Sequence, residues 1–183
     1  MKQVTKPVST SQNRRGTGQN KDPRPWANIM FTNETNCFKL AEIEVIYSTK
    51  VKPSDRLKVV TSGDAAEAFR SAWKQSLEHK ESFYALYLNR NNKVLGIHKI
   101  SEGGLAGTVV DIRCVYQVAL KANACSVIVA HNHPSGNLVP SEADKSITQK
   151  IKEAGKFLDI PLLDHLIMLP NEGYTSFADQ GYL

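Results

Sequence analysis

Val127-Ile128-Val129-Ala130-His131-Asn132-His133-Pro134-Ser135-Gly136, followed by Pro140-Ser141-Glu142-Ala143-Asp144, joins an apolar run to two histidines, a turn and an acidic segment. Residues 127–130 form an unbroken apolar run, as expected of a buried strand. Residues i and i+2 of an extended backbone point to the same face. His131 and His133, at the end of that strand, can therefore bring both imidazoles to one point. Pro134-Ser135-Gly136 turns the chain. A helix is predicted from Ser141 to about Leu158, with Asp144 in its first turn, where a carboxylate can reach back toward the strand end. Two imidazole nitrogens and one carboxylate oxygen supply three of zinc's four tetrahedral positions. The open fourth position marks a catalytic rather than a structural site. Ser141-x-x-Asp144 also reads as a capping box, and a cap would fix the backbone that presents the carboxylate.

Outward from this stretch, strands and helices alternate. Ile43, Val45 and Tyr47 recur at every second position and predict a strand, broken by Lys52-Pro53-Ser54-Asp55. Asp64 opens a predicted helix in which Ala65, Phe69, Ala72, Trp73 and Leu77 recur at helical spacing, to about His79. Phe83–Leu88 and Val94–Ile100 predict two strands joined by a hairpin-like turn at Asn89-Arg90-Asn91-Asn92. A glycine-rich segment, Ser101–Gly107, follows. Asp111 then caps a predicted helix carrying Ile112, Val115, Val118, Ala119 and Ala122. Ile147, Ile151, Ala154 and Leu158 lie on the inner face of the helix after Ser141, and Leu162–Leu169 is a last strand. Helices alternating with strands around one sheet make an α/β sandwich.

The charge has a location. The chain of 183 residues carries a formal +5, and residues 1–25 hold Lys2, Lys6, Arg14, Arg15, Lys21 and Arg24 against Asp22 alone. That segment accounts for the whole surplus, so the rest is formally neutral and lacks a basic footprint. Residues 1–36 are polar and without apolar periodicity, and they read as a flexible basic tail. Cys37, Cys114 and Cys125 are odd in number and dispersed, which argues against a disulfide framework or a cysteine zinc ribbon. Cys125, among apolar residues, is expected in the core. No run approaches the roughly 20 apolar residues that span a bilayer, and the N-terminus lacks an apolar h-region. The expected setting is the cytoplasm, with no membrane partner.

The spacing His131-x-His133, seven residues, Ser141-x-x-Asp144 resembles the JAMM metallopeptidase motif. The wording around it, His131-Asn-His-Pro-Ser-Gly136 with Pro140-Ser141 and Leu163-Asp164-His165, is similar to the RadC-like branch of that family. The likeness runs from about Glu42 to the C-terminus and takes in Ser101-Glu102-Gly103-Gly104, Gly107-Thr108 and Ser176-Phe177-Ala178. It implies a cytidine-deaminase-like JAB/MPN fold, a mixed sheet flanked by helices, over residues 37–183 with a motif core at 81–169. RadC proteins commonly carry a helix-hairpin-helix segment upstream, and the sequence of residues 1–41 does not read as one.

The resemblance also implies chemistry. His131, His133 and Asp144 would hold Zn2+. Zinc lowers the pKa of its water and polarises a scissile carbonyl. The family uses a glutamate at the start of the strand after the first long helix, and Glu81 stands there; Glu102, in the glycine-rich segment, is its rival. Glu81 would act as general base and then acid. Ser141 would donate to the oxyanion. Ser135 is accounted for by its turn. Asp164-His165 is either support for the metal ligands or a buried ion-paired structural histidine. The implied activity is that of a zinc metallopeptidase or isopeptidase acting on a peptide or protein amide. The alternative is a RadC-type DNA-associated accessory protein, its tail giving weak nonspecific phosphate contacts. A JAMM-like scaffold without turnover ranks last, because all four motif residues are present.

Overall fold

The computed structural model describes residues 50–73, 77–103, 109–170 and 173–183. The expected tail, its boundary at residue 37 and the strand over 43–47 lie outside the described residues. A short 3-10 turn, Pro53–Asp55, precedes eight further elements: α1 (Ser62–Ala72), β1 (Ser82–Leu88), β2 (Val94–Glu102), α2 (Ile112–Lys121), β3 (Ser126–Asn132), α3 (Glu142–Phe157), β4 (Leu162–Met168) and β5 (Tyr174–Ser176). The strands form one mixed sheet in the order β2-β1-β3-β4-β5. β1 pairs antiparallel with β2 and β3, β3 runs parallel to β4 through the α3 crossover, and β5 returns antiparallel to β4. The chain is thus an α/β fold, a mixed sheet flanked by helices.

Both faces of the central strands are covered, which is why β1 and β3 are buried at every position. Tyr84, Leu86 and Leu88 of β1 join Ile128 and Ala130 of β3 against Ala65, Ala68 and Phe69 of α1. Phe83, Ala85 and Tyr87 face the other way with Val127 and Val129, onto Val115 and Ala119 of α2 and Ile151 of α3. Each fully buried side chain of the size of Phe69 contributes roughly 1.5–3 kcal/mol. His131, two residues beyond Val129, therefore belongs to the α2/α3 face, and Asn132 to the α1 face.

Three expectations need correction. The first helix begins at Ser62 behind Thr61, whose hydroxyl accepts from Asp64 N while the Asp64 carboxylate accepts from Thr61 N. Asp64 is thus the third helical residue and not the first. The helix also ends at Ala72 instead of near His79. Trp73 leaves the helical region at ψ 108, its ring 4.3 Å from that of Tyr84, and residues 77–79 form a turn. The apolar spacing that seemed to carry the helix onward reflects this packing on β1. Cys125 is exposed, since it enters β3 at the sheet's end, and Cys114 is partly exposed; both are free. β5 is an addition, three residues being too few for a periodic signal.

Candidate metal centre

β3 delivers His131 opposite Phe83 of β1, with the two rings near parallel and 6.1 Å apart. The chain then leaves the sheet, but His133 N still donates to Met168 O of β4 at 3.0 Å, which holds the exit in place. Gly136 N closes the turn onto His133 O, and Gly136 has φ 76, a left-handed conformation that suits glycine. On the helix side Ser141 is the N-cap. Its Oγ accepts from Asp144 N, and the Asp144 carboxylate accepts from Ser141 N and Oγ, both at 2.7 Å. The capping box and the presentation of Asp144 are one structure.

These elements bring His131, His133 and Asp144 together, with their ligand-type atoms within 4.8 Å of one another. His131 Nε2 lies 2.9 Å from His133 Nε2 and 3.2 Å from Asp144 Oδ1, and His133 Nε2 lies 3.6 Å from Asp144 Oδ2. A tetrahedral ion with bonds of about 2.0–2.1 Å separates its ligands by about 3.3–3.4 Å, so the triangle is close to the size such an ion needs. The other ring nitrogens are already engaged. His133 Nδ1 meets Asn137 O at 2.7 Å, and as the carbonyl can only accept, Nδ1 carries the hydrogen. His131 Nδ1 meets His165 Nε2 at 2.8 Å. Neutral imidazoles so arranged turn two Nε2 lone pairs toward each other and toward a carboxylate, which favours a cation or a proton between them. The donor set fits a metal ion.

The electrostatics agree. Burial works to raise the Asp144 carboxyl, but the imidazoles of His131 and His133 beside it outweigh that and hold the group far below the usual carboxylate range. The Asp144 carboxylate beside it raises His133 above its ordinary value against the cost of burial, helped by the Asn137 carbonyl and the Glu81 charge. His165 is fully buried, and burial, with His131 beside it, keeps it neutral well below its ordinary range.

The cleft at this centre, about 570 Å³, is lined by Glu81, Phe83, His131, His133, Ser141 and Asp144 among others, and Ser135 also borders it. Glu81 immediately precedes β1, and its carbonyl accepts from Gly103 N at 2.9 Å. Glu102 is ion-paired with Lys99 at 2.6 Å and Lys80 at 3.8 Å and is not part of the cleft wall. The Asp164-His165 pair divides. Asp164 accepts from Ser176 Oγ, Ala178 N and His165 N, tying down the C-terminal turn, whereas the His165 ring turns to His131.

Two residues of this site escaped the sequence reading. Asn132, fully buried between the two histidines in sequence, sends its amide to the opposite face. Its Oδ1 accepts from Ser82 N at 2.8 Å, and its Nδ2 donates to Leu77 O and Lys80 O at 2.7 and 2.9 Å. It grips the backbone on both sides of Glu81. Thr148, buried in α3, contacts His165.

A family model for the RadC-like JAB domain matches residues 59–182. A UPF0758 protein of Flavobacterium johnsoniae is 47% identical over 126 residues, covering 69% of this chain and 54% of the relative. UPF0758 proteins of Chlorobium chlorochromatii, 41% identical over 126 residues (69% of this chain, 55% of the relative), and Salinibacter ruber, 38% over 129 residues (70% and 54%), are similar in extent. The chain spans about half the length of the curated relatives it matches. No helix among the described residues is long and apolar enough to cross a membrane.

Proposed function

The chain belongs to the RadC-like JAB domain family, and from that premise we propose that it is a zinc-dependent hydrolase, a metallopeptidase or isopeptidase cleaving an amide bond of a peptide or protein. The observation that carries this reading is the triangle of His131 Nε2, His133 Nε2 and Asp144 oxygens, 2.9–3.6 Å on a side and bordering a cleft. A zinc ion held there would bring its water toward neutrality in pKa and polarise the scissile carbonyl. Glu81, on the cleft wall, takes the proton of the attacking water as general base and returns it to the leaving amine. The lysine clamp on Glu102 supports this choice of glutamate. Ser141 turns its hydroxyl from Asp144 Oδ2 to the oxyanion of the tetrahedral intermediate. The proposed setting is the cytoplasm. Amide and phosphoester substrates, screened with and without chelator, test the reading. Chelator-sensitive amide cleavage is expected, and a metal-loaded chain that cleaves no amide contradicts it.

A second reading, a DNA-associated accessory protein, is favoured by one observation, the concentration of the net positive charge in residues 1–25. Phosphate binding scales with such contacts. Fluorescence anisotropy at low salt, comparing the full chain with one lacking residues 1–36, tests it. Loss of DNA affinity on truncation supports tail-borne binding, and affinity retained by the truncated chain moves the DNA contacts to the domain.

A further inference from the structure

A chain of buried hydrogen bonds leads away from His131 and ends on backbone. His131 Nδ1 meets His165 Nε2 at 2.8 Å, His165 Nδ1 meets Thr148 Oγ1 at 2.6 Å, and Thr148 Oγ1 meets Asp144 O at 2.5 Å. Thr148 is 2% exposed, His165 fully buried and His131 3% exposed, so water does not stand in for a missing partner. The carbonyl at the far end has no hydrogen to give. Thr148 therefore donates to it and accepts from His165 Nδ1–H. With its one hydrogen on Nδ1, the neutral His165 ring offers a lone pair at Nε2. His131 must supply the hydrogen between the two rings from its own Nδ1, which leaves His131 Nε2 bare and turned to His133 and Asp144. With one hydrogen per ring, no other assignment satisfies both contacts of His165, and the His131–His133 Nε2 contact is left for a cation or a proton to fill.

We infer that Thr148 and His165 form a tautomer lock that fixes His131 as the Nδ1–H imidazole and so makes the centre a cation receptor before any cation arrives. The inference rests on the metal-centre reading above. It makes Thr148 a positioning residue acting through two rings, from the same α3 turn whose Asp144 supplies the carboxylate. The rings are held sideways as well: His165 stacks on Phe177 with centroids 4.6 Å apart and takes Phe83 edge-on at 5.4 Å. Neither ring is free to reach another acceptor by rotating.

Thr148→Val keeps the shape of the side chain and removes its acceptor. His165 Nδ1–H then has no partner, so the hydrogen moves to Nε2. The His165 ring now donates to His131 Nδ1, and His131 becomes the Nε2–H form whose hydrogen covers the ligand position. Loss of a hydrogen bond that orients a ligating histidine costs roughly 10- to 100-fold in metal affinity. The experiment pairs two readouts on the full chain: zinc affinity by competition with a chromophoric chelator, and imidazole nitrogen spectra of the metal-free protein at mildly alkaline pH. Wild type and Thr148→Ser should give Nδ1–H signatures for His131 and His165 and tight zinc binding. Thr148→Val should give Nε2–H signatures and zinc binding weakened by that factor. An Nε2–H His131 in the wild type, or wild-type affinity in Thr148→Val, overturns the lock. A wild type that shows the Nδ1–H pair but takes up no zinc overturns the metal reading and leaves the lock standing. The wild-type spectra decide the matter even if Thr148→Val does not fold.

Discussion

Replacing Asn132 by Asp changes one amide into a carboxylate of the same shape, and its consequence can be worked out from three contacts. Asn132 Oδ1 accepts from Ser82 N, and the substituted side chain keeps that bond. Nδ2 donates to Leu77 O and Lys80 O, and there the carboxylate oxygen faces two carbonyls with no hydrogen between them. Two hydrogen bonds are lost at about 1 kcal/mol each, and acceptors left buried without donors add about 1 kcal/mol or more, so roughly 3 kcal/mol of destabilisation is expected. For a chain of this size each kcal/mol lowers the Tm by about 2–4 °C, giving a fall of about 6–12 °C. Because residues 77–82 are the segment held, that turn should also become protease-sensitive below the global unfolding temperature, with Glu81 moving away from the cleft. Thermal unfolding and limited proteolysis measure the two effects. Asn132→Asp with unchanged Tm and a protected 77–82 turn would refute the view that this amide positions Glu81.

Three further outcomes are expected. Glu81→Gln should keep its zinc and lose about 100- to 10,000-fold in kcat, as for removal of a general base, while Glu102→Gln stays near wild type; zinc content and steady-state kinetics of both variants check this, and the reverse pattern would move the base to Glu102. A Cβ at Gly155 would collide with Tyr116 Oη and the Ile160 carbonyl, so Gly155→Ala should destabilise the α2/α3 packing by roughly 1–3 kcal/mol in urea titration, without shifting zinc affinity. In the metal-free chain the raised His133 contributes stability that is full below its ordinary 6.5 and lost as pH rises through its raised value. The depressed Asp144 contributes stability present above 3.8 and lost as pH falls through its lowered value. The pair therefore stabilises most at mildly acidic pH. Zinc must displace the His133 proton, so its affinity should climb with pH until that group has titrated and then level off, as calorimetry at several pH values would record.

The parts of this molecule legible in the sequence are those fixed by local rules. The 127–130 run, the i, i+2 histidines and the Ser141-x-x-Asp144 box predicted strand, turn and helix start together because each is a short-range constraint. What stayed hidden depends on tertiary contact. The first helix stops at Trp73 because the indole packs on Tyr84, a partner that helical spacing cannot reveal. Asn132 did carry a signal: an amide inside a strand buried on both faces must find partners on the side away from the histidines. Thr148 carried one too, four residues after Asp144 and three before the buried Ile151, a hydroxyl on an inward helical face. That its partner would be His165 follows only from the parallel pairing of β3 with β4, which sets Val129 against His165.

On this reading His131, His133 and Asp144 hold a single metal ion. Elemental analysis of protein purified without added metal, beside the His131→Ala, His133→Ala double variant, tests it most directly. About one zinc per chain in the wild type and none in the double variant is the predicted result. Equal zinc in the two proteins, or no zinc in the wild type even after loading, would contradict it.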